Sequence, residues 1–205
     1  MSNRERKTET HYFSEKPQVR AKYGIIRAYL RGRYFEFLTC SGVFSPKRID
    51  LGTRLLIESM ILPEEGQILD LGCGYGPVGI VAATLNPKLK VIMVDINERA
   101  VMLAKENAKR NFVTNIEVRR GCLYEPVKNL KFGAILCNPP ISAGKRTIKE
   151  IIAKAPTHLT EDGLLEIVVR SKVGGKMVKE MMMEIFKNVQ IHARQSGYRV
   201  LISKN

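Results

Sequence analysis

The stretch Leu69-Asp70-Leu71-Gly72-Cys73-Gly74-Tyr75-Gly76-Pro77-Val78-Gly79 decides the fold. It joins a short apolar run, Ile68–Leu71, to a segment that begins with proline and continues with apolar residues. Glycines allow a tight turn and the close approach of a ligand to the backbone, and proline is favoured in the first turn of a helix. The pattern therefore predicts a strand, a ligand-binding turn and a helix over Pro77–Leu85.

Strand-like and helix-like segments alternate on the carboxyl side of this turn. The predicted strands are Lys90–Asp95, Ile116–Arg119, Gly133–Cys137, Leu164–Val169, Val189–Ala193 and Tyr198–Ser203, and the predicted helices are Asn97–Asn111, Thr147–His158 and Gly175–Phe186. Asn97 is the predicted N-cap of the first of these helices. Apolar strands that alternate with helices are typical of a parallel sheet with helices on both faces. Gly197 lies between the last two strands and predicts a closing antiparallel hairpin.

The segment before the glycine-rich turn has a different pattern. Two strand-like runs, Ile25–Leu30 and Tyr34–Cys40, surround Arg31-Gly32-Arg33 and predict a β-hairpin. A helix is predicted from about Gly52 to Met60, ended by Pro63. Residues 1–50 are thus expected to form an N-terminal arm and hairpin, packed on a main unit at residues 51–205. A chain of 205 residues is long enough for one core, so we expect a single domain overall.

The chain is strongly basic, with 34 Lys and Arg against 20 Asp and Glu and a formal net charge of +14. The excess is +6 over residues 1–50, +6 over residues 142–205 and only +2 between them. A basic surface attracts polyanions, chiefly nucleic acid, through phosphate contacts and the release of counterions. RNA is therefore the expected partner, with a solvated lysine-rich surface as the alternative.

Several other classes of protein are not expected. The longest apolar runs, such as Leu164–Val169, are too short to span a bilayer, and the N-terminus lacks the pattern of a signal peptide. The four cysteines form no C-x-x-C pair and the three histidines are dispersed, so no metal site is expected. Reduced thiols are typical of a cytoplasmic protein, and this is the predicted location.

The glycine-rich turn by itself allows two nucleotide cofactors. Gly74, Gly76 and Gly79 fit the dinucleotide fingerprint, and Asp95 at the end of the next strand can accept ribose hydroxyls in either case. Asp70 favours S-adenosylmethionine. Its carboxylate would repel a pyrophosphate resting on the helix N-terminus, whereas S-adenosylmethionine carries a sulfonium and an ammonium group.

The run Asn138-Pro139-Pro140-Ile141 directly follows an apolar strand, at the edge where open α/β sheets bind their ligands. Two successive prolines remove two N–H donors and stiffen the backbone. The Asn138 amide and the Pro139 carbonyl would therefore face the target and accept the two hydrogens of an amine on a planar, conjugated group. Such positioning predicts N-methyl transfer, and an ordinary turn is the alternative.

Together these motifs resemble class I S-adenosylmethionine-dependent methyltransferases of the small-domain group. The chain is most similar to the bacterial 16S ribosomal RNA guanine-N2 methyltransferases and their single-domain archaeal relatives. The resemblance covers nearly the whole chain and also includes His11–Pro17, Gly42–Ser45, Ile49–Leu56 and Gly197–Val200. It implies a Rossmann-like α/β fold: a seven-stranded, mostly parallel sheet with an antiparallel last strand, helices on both faces, and an N-terminal hairpin extension.

Three sets of site residues follow from the motifs and the resemblance. The expected cofactor-binding residues are Thr53, Asp70, Gly72, Cys73, Gly74, Gly76, Asp95, Ile96, Cys122 and Asn138. The expected catalytic residues are Asn138, Pro139, Pro140 and Ile141. The expected substrate-binding residues are Arg31, Arg33, Phe44, Lys47 and Arg48. Two positions depart from the family pattern: Ile141 replaces a frequent aromatic residue, and Cys122 replaces a frequent acid beside the adenine.

The predicted activity is methylation of an exocyclic base amine in RNA, with guanine N2 of ribosomal RNA as the favoured target. Adenine-N6 methylation and protein glutamine-amide methylation stay open, because Asn-Pro-Pro resembles the motif of those enzymes as well. A non-catalytic module for RNA binding or assembly is the third possibility. The joint presence of Asp70, Asp95 and Asn138 argues against it, because a scaffold does not need all three.

Overall fold

The computed structural model describes residues 19–139 and 144–205. These residues contain nine strands, five α-helices and a 3-10 turn at Glu125–Val127. The strands are β1 (Tyr23–Leu30), β2 (Arg33–Cys40), β3 (Gly66–Leu71), β4 (Leu89–Asp95), β5 (Ile116–Arg120), β6 (Phe132–Cys137), β7 (Leu159–Arg170), β8 (Gln190–Gln195) and β9 (Tyr198–Lys204). The helices are α1 (Leu51–Ser59), α2 (Pro77–Leu85), α3 (Glu98–Arg110), α4 (Gly144–His158) and α5 (Gly175–Phe186).

Seven strands form the main sheet in the order β5-β4-β3-β6-β7-β9-β8. The first five are parallel, and β9 runs antiparallel to both of its neighbours. The predicted mostly parallel sheet with an antiparallel last strand is confirmed. The last strand lies between β7 and β8, because the hairpin around Gly197 turns it back into the sheet.

Helices cover both faces of the sheet, as predicted. One apolar core contains residues of α1, α2, α3 and the β1–β2 hairpin, and the other contains residues of α4 and α5. The central strands are apolar along most of their length because both of their faces are buried. Leu30 and Phe37 of the hairpin belong to the first core, while the division of the chain at residue 50 stays a prediction.

Local signals explain where the helices begin. The Asp50 carboxylate accepts the backbone N–H groups of Gly52 and Thr53, and therefore caps α1. Asn97 caps α3 in the same way, which confirms its predicted role. Gly76 precedes Pro77 and has a φ of 95°, a left-handed conformation that glycine adopts without strain.

The N-terminal hairpin closes through Arg31 and Gly32, which both have positive φ angles and connect the paired residues Leu30 and Arg33. Positive φ at both central residues is typical of the two-residue turns that match the twist of paired strands. The predicted β-hairpin is confirmed.

Two asparagines, Asn107 of α3 and Asn111 directly after it, attach this hairpin to the main unit. Asn107 accepts the Leu38 N–H at 2.7 Å and donates to the Leu38 carbonyl at 2.9 Å. Asn111, one helical turn later, makes the same pair of bonds with Glu36 at 3.1 and 2.8 Å. The two side-chain amides thus take the place of a neighbouring strand, and they satisfy the outer edge of β2.

The structure also bears on the expectations about membrane spans and cysteines. No helix within residues 19–139 and 144–205 is both long enough and apolar enough to cross a membrane. Cys40, Cys73, Cys122 and Cys137 all lie in the described part of the chain, and no disulfide links them. His11–Pro17, which belong to the family resemblance, lie outside the described residues.

One carboxyl group is buried without complete hydrogen bonding. Glu166 on β7 is fully inaccessible to solvent; its Oε1 accepts the Ile61 N–H at 2.9 Å, and its Oε2 has no hydrogen-bond partner. Burial raises the pKa of Glu166 to about 8, although the Ile61 N–H and the charge of Arg31 oppose the rise. The folded protein therefore binds a proton at Glu166 that the unfolded chain releases, and stability falls as the pH rises from about 4.5 to 8.

We expect Glu166→Gln to stabilise the protein, and to do so more at pH 9 than at pH 5, because glutamine cannot ionise. Each unit of pKa shift corresponds to about 1.4 kcal/mol, so the gain in unfolding free energy at pH 9 is roughly a few kcal/mol. Chemical denaturation at the two pH values measures it. Glu161→Gln, at an exposed position of the same strand, is the matched control and should change little. An equal gain in unfolding free energy at both pH values would contradict the prediction that ionisation of the buried Glu166 destabilises the folded protein.

Candidate active site

The ends of three parallel strands meet at one edge of the sheet. Leu71 of β3 is paired with Val94 of β4 on one side and with Cys137 of β6 on the other. The residue that follows each of them is therefore at the same level: Gly72, Asp95 and Asn138. Ligands of open α/β sheets bind at this edge.

A cavity of about 750 Å³ opens here, a size typical of sites for small molecules. Its wall combines the glycine loop, the ends of β4 and β6, the loop before α1, and one side of α4. Among the residues proposed from the sequence, the wall includes Phe44, Gly72, Gly74, Asp95, Ile96, Cys122, Asn138 and Pro139. Pro140 and Ile141 lie outside the described residues.

The glycine loop forms a smooth floor for this cavity. The N–H groups of Gly72 and Cys73 both donate to the Val94 carbonyl, at 2.8 and 3.0 Å. Gly72 and Gly74 have φ angles of 77° and 58°, and apart from the glycine and its two chain neighbours no described residue has an atom within 4 Å of the place that a Cβ would occupy on either. Their missing side chains therefore leave open space in which a ligand can contact the backbone.

Asp95 is held by two backbone donors. Its Oδ2 accepts the Gly74 N–H and its Oδ1 accepts the Asn97 N–H, both at 2.8 Å. Burial raises the pKa of Asp95, and hydrogen bonds from the backbone N–H groups of Asn97, Gly74 and Ile96 oppose the rise. Each carboxylate oxygen has further acceptor capacity, so the two oxygens suit a pair of neighbouring hydroxyl groups.

Asp70 lies behind the loop and is 2% exposed. Its Oδ2 accepts the Gly79 N–H at 2.8 Å, which ties the end of β3 to the first turn of α2. Burial raises the pKa of Asp70 to about 7, the Gly79 N–H opposes this, and the nearby charge of Asp95 adds to it. Asp70 borders a small cavity of about 30 Å³, which also touches Thr53 and adjoins the large one at Gly72 and Asn138.

The side-chain amide of Asn138 has a defined orientation. Its Nδ2 donates to Thr53 Oγ1 at 2.9 Å and lies 3.4 Å from Asp50 Oδ2. Because the nitrogen of the amide faces the start of α1, its oxygen lies on the opposite side of the amide group. Thr53 was expected among the cofactor-binding residues, and its hydroxyl here contacts Asn138.

Three residues that sequence reasoning left without a role extend this arrangement. The Tyr198 hydroxyl lies 3.5 Å from Asp50 Oδ1, and Arg170 Nε donates to the same hydroxyl at 3.0 Å. The Arg170 guanidinium also lies 5.4 Å from the centre of the Tyr198 ring. Asp50 had a local signal, since an acid before a helix is a common N-cap, and Tyr198 belongs to a stretch of the family resemblance. Arg170 had no signal in the sequence.

The predicted substrate-binding residues lie in two places. The Asn97 side chain donates to the Gly42 carbonyl at 2.9 Å and so holds the loop that carries Phe44 into the cavity wall. Lys47 and Arg48 are exposed in the same loop. Arg31 and Arg33 lie at the hairpin turn, where Arg31 Nη1 donates to the Glu58 carbonyl near the end of α1. Glu58 is about 12 Å along the helix from the capping residue at the cavity.

The described residues contain no group of three or more His, Cys, Asp or Glu side chains that could hold a metal ion. The polar side chains of the cavity are carboxylates, two carboxamides, two thiols, an aliphatic hydroxyl, a phenol and a guanidinium. Apolar side chains of Val43, Phe44, Ile96 and Leu123 complete the wall. This combination suits an organic ligand with hydroxyl groups and a flat ring.

Comparison with known proteins identifies a family and several relatives of this chain. The methyltransferase small domain family matches residues 34–202. The protein YbxB of Bacillus subtilis (strain 168), described as uncharacterized, is 42% identical over 196 residues, which cover 95% of this chain and 98% of that protein. Ribosomal RNA small subunit methyltransferase C of Aeromonas hydrophila subsp. hydrophila is 38% identical over 175 residues, or 82% of this chain and 48% of that protein. The chain thus spans about half the length of this curated methyltransferase.

Solved structures agree on the fold. The Thermus thermophilus 16S rRNA N2 G1207 methyltransferase RsmC, in complex with AdoMet and guanosine, superposes with a TM-score of 0.80 at 22% identity over 92% of this chain and 52% of that one. The ribosomal protein L11 methylase of Lactobacillus delbrueckii subsp. bulgaricus has a TM-score of 0.63 at 24% identity over 77% and 83%. Because the family match extends from β2 to β9 and the fold agrees with it, this chain belongs to the methyltransferase small domain family.

Proposed function

We propose that this protein transfers a methyl group from S-adenosylmethionine to an exocyclic base amine in RNA, with guanine N2 of ribosomal RNA as the target. The observation that carries the proposal is the orientation of the Asn138 amide. Thr53 and Asp50 hold its nitrogen, and its oxygen is left as an acceptor at the wall of a ligand-sized cavity that also contains Asp95.

The residues at the loop fit S-adenosylmethionine. Asp95 would accept the ribose hydroxyls, and the backbone at Gly72 and Gly74 has the open space for a closely bound nucleoside. When bound, the cofactor supplies a methyl group carried on a positively charged sulfur. Asp70 and Asp95 place two carboxyl groups beside the same loop, which favours a cationic ligand and disfavours a pyrophosphate. The other predicted cofactor contacts, at Cys73, Gly76, Ile96 and Cys122, belong to the same proposal.

Asn138 and Pro139 would act on the amine. Such a nitrogen is a poor nucleophile because its lone pair is delocalised into the ring. Asn138 Oδ1 and the Pro139 carbonyl would each accept one of its hydrogens, which holds the nitrogen in place and turns its lone pair out of the ring plane. This is catalysis by positioning and charge stabilisation, and it requires no strong base beforehand. Pro140 and Ile141 remain part of the predicted catalytic run.

RNA is proposed as the substrate because of the net charge of the chain and the names of its relatives. The formal charge of +14 favours a polyanionic partner, and several relatives are named ribosomal RNA small subunit methyltransferase C. Adenine N6 and a glutamine side-chain amide present the same –NH₂ group and are the rival targets. A scaffold without catalysis is disfavoured because it needs no oriented Asn138. A cytoplasmic location, where ribosomal RNA is found, stays a prediction.

Methyl transfer from labelled S-adenosylmethionine tests the proposal on stripped small ribosomal subunits, total RNA and release factors. We expect label in N2-methylguanosine, identified by mass spectrometry of digested RNA. Asn138→Ala should lower turnover roughly 100-fold or more while the variant still binds the cofactor, because the acceptor acts on the target amine. Label in N6-methyladenosine alone or in protein alone would show that guanine N2 is not the target and would support the corresponding rival substrate. Full activity of Asn138→Ala would contradict the proposal that Asn138 accepts a hydrogen of the target amine.

Thr53→Val tests how the Asn138 amide is held. Valine keeps the shape of threonine but loses the hydroxyl that accepts from Asn138 Nδ2, so only the longer contact with Asp50 Oδ2 still holds the amide. We expect kcat to fall about tenfold, as for the loss of one hydrogen bond of 1 to 1.5 kcal/mol, with unchanged cofactor affinity. Thr53→Ser should restore most of the activity. A weaker affinity for S-adenosylmethionine with normal kcat would instead support the direct cofactor contact expected from the sequence.

The Asp70 carboxyl predicts a pH dependence of cofactor binding. Its pKa in the ligand-free protein is about 7, and a cation beside it favours the ionised form. Binding should therefore release a proton below pH 7, and affinity should fall as the pH decreases from 7 to 5.5. Calorimetry in buffers with different ionisation enthalpies measures this release. S-adenosylhomocysteine, which lacks the sulfonium charge, should show a weaker dependence, and Asp70→Asn should abolish it. Proton uptake would contradict the prediction.

A further inference from the structure

The outer face of the N-terminal hairpin exposes large aromatic and apolar side chains. Tyr23, Ile25 and Tyr29 of β1 are 58%, 53% and 55% exposed, and Tyr34 of β2 is 86% exposed. Side chains alternate between the two faces of a strand, and the intervening residues Ile26, Ala28 and Leu30 are buried in the core. The hairpin therefore needs only its inner face for stability. Large exposed apolar groups gathered on one surface commonly mark an interaction site.

These side chains lie in a defined order. Tyr29 is directly opposite Tyr34 in the strand pairing, and their ring centres are 4.8 Å apart with the planes tilted by 56°. Along β1 the exposed positions are two residues apart, or about 6.7 Å. Arg27 occupies the position between Ile25 and Tyr29, and its guanidinium pairs with Glu36 at 3.0 Å. We define Tyr23, Ile25, Tyr29 and Tyr34 as the tyrosine face.

The surroundings of the tyrosine face are basic. Residues 19–40 contain the basic residues Arg20, Lys22, Arg27, Arg31 and Arg33, and a single acidic residue, Glu36. The net charge of this segment is therefore +4. Exposed rings with cations around them suit single-stranded nucleic acid, because bases stack on the rings and phosphates contact the cations. A second copy of the chain would bring the same positive charge against this one, which disfavours self-association.

The hairpin also extends away from the cavity. Its Tyr23 end lies near Ser41 and Gly42, which continue into the loop of Phe44, and its turn lies beside Glu58 at the far end of α1. A strand of eight residues spans roughly 25 Å, so the two ends are several nucleotides apart.

We propose that the tyrosine face is a stacking surface for a single-stranded segment of the RNA that lies several nucleotides away from the target base. The inference rests on the proposed function, since it states where that substrate is held outside the cavity. The proposal also assigns a role to Arg31 and Arg33: they would contact phosphates of this segment, and not those of the target nucleotide.

Tyr34→Trp in the full chain tests the stacking directly. The sequence contains no tryptophan, so the variant carries a single fluorophore on the tyrosine face. We expect a single-stranded RNA of about 20 nucleotides to quench its emission saturably, and to bind more weakly as the salt concentration rises. Adding Tyr29→Ala should weaken binding about tenfold, since a stacked base contributes about 1 to 3 kcal/mol. Met183→Trp, on α5 at the opposite face of the sheet, is the matched control and should show no quenching.

Two results would overturn the proposal. One is an emission that does not respond to RNA. The other is an emission that depends on protein concentration, with a dimer in sedimentation, which would assign the face to a second copy. In the methyl-transfer assay, Tyr23→Ala, Tyr29→Ala and Tyr34→Ala together should raise KM for long RNA by more than the roughly tenfold expected for one ring, with kcat and cofactor affinity unchanged. If the wild type methylates no RNA but the quenching persists, the proposed activity fails and the stacking surface is retained.

Discussion

The pairing of Leu71 with Val94 on one side and with Cys137 on the other holds the functional strand ends at one edge of the sheet. A slip of one residue in either register would turn Asp95 or Asn138 towards the opposite face. The loop depends on the same pairing, because Gly72 and Cys73 donate to the Val94 carbonyl. Registers between buried parallel strands are strongly specified, since each strand must match its apolar side chains to the helices on both faces.

Single buried polar side chains connect the other parts to this edge. Asn107 joins β2, α3 and the glycine loop through the carbonyls of Leu38 and Tyr75, and Asn97 joins the cap of α3 to the loop that carries Phe44. Each of these groups satisfies backbone atoms that would otherwise be buried without partners, so moving one of them costs hydrogen bonds in two elements at once. The cavity wall is thereby held in place before any ligand binds, which is what the proposed catalysis by positioning requires.

The protein combines two opposite electrostatic environments. Asp70 and Asp95 place two carboxyl groups at the glycine loop, whereas the chain as a whole carries a formal charge of +14. A cationic cofactor and a polyanionic substrate would therefore be attracted to different parts of the same molecule. The exposed hairpin face, with its tyrosines and arginines, belongs to the second environment. The proposed RNA substrate, held partly outside the cavity, would leave the inner wall free to orient a single base.

Local patterns in the sequence were enough to determine the elements, the glycine turn, the cap at Asn97 and the placement of Asp95 and Asn138 at strand ends, because each depends on neighbouring residues. The tertiary structure alone decided how Asn138 is oriented. Asp50 and Tyr198 are separated by 148 positions, and Arg170 joins them only because β7 and β9 are adjacent. The tertiary structure also decided that Arg31 and Arg33 lie at the hairpin turn, whereas Lys47 and Arg48 lie in the loop that carries Phe44. A hydrogen bond between distant segments has no periodicity or spacing in the chain, since the packing of the sheet and helices sets its geometry.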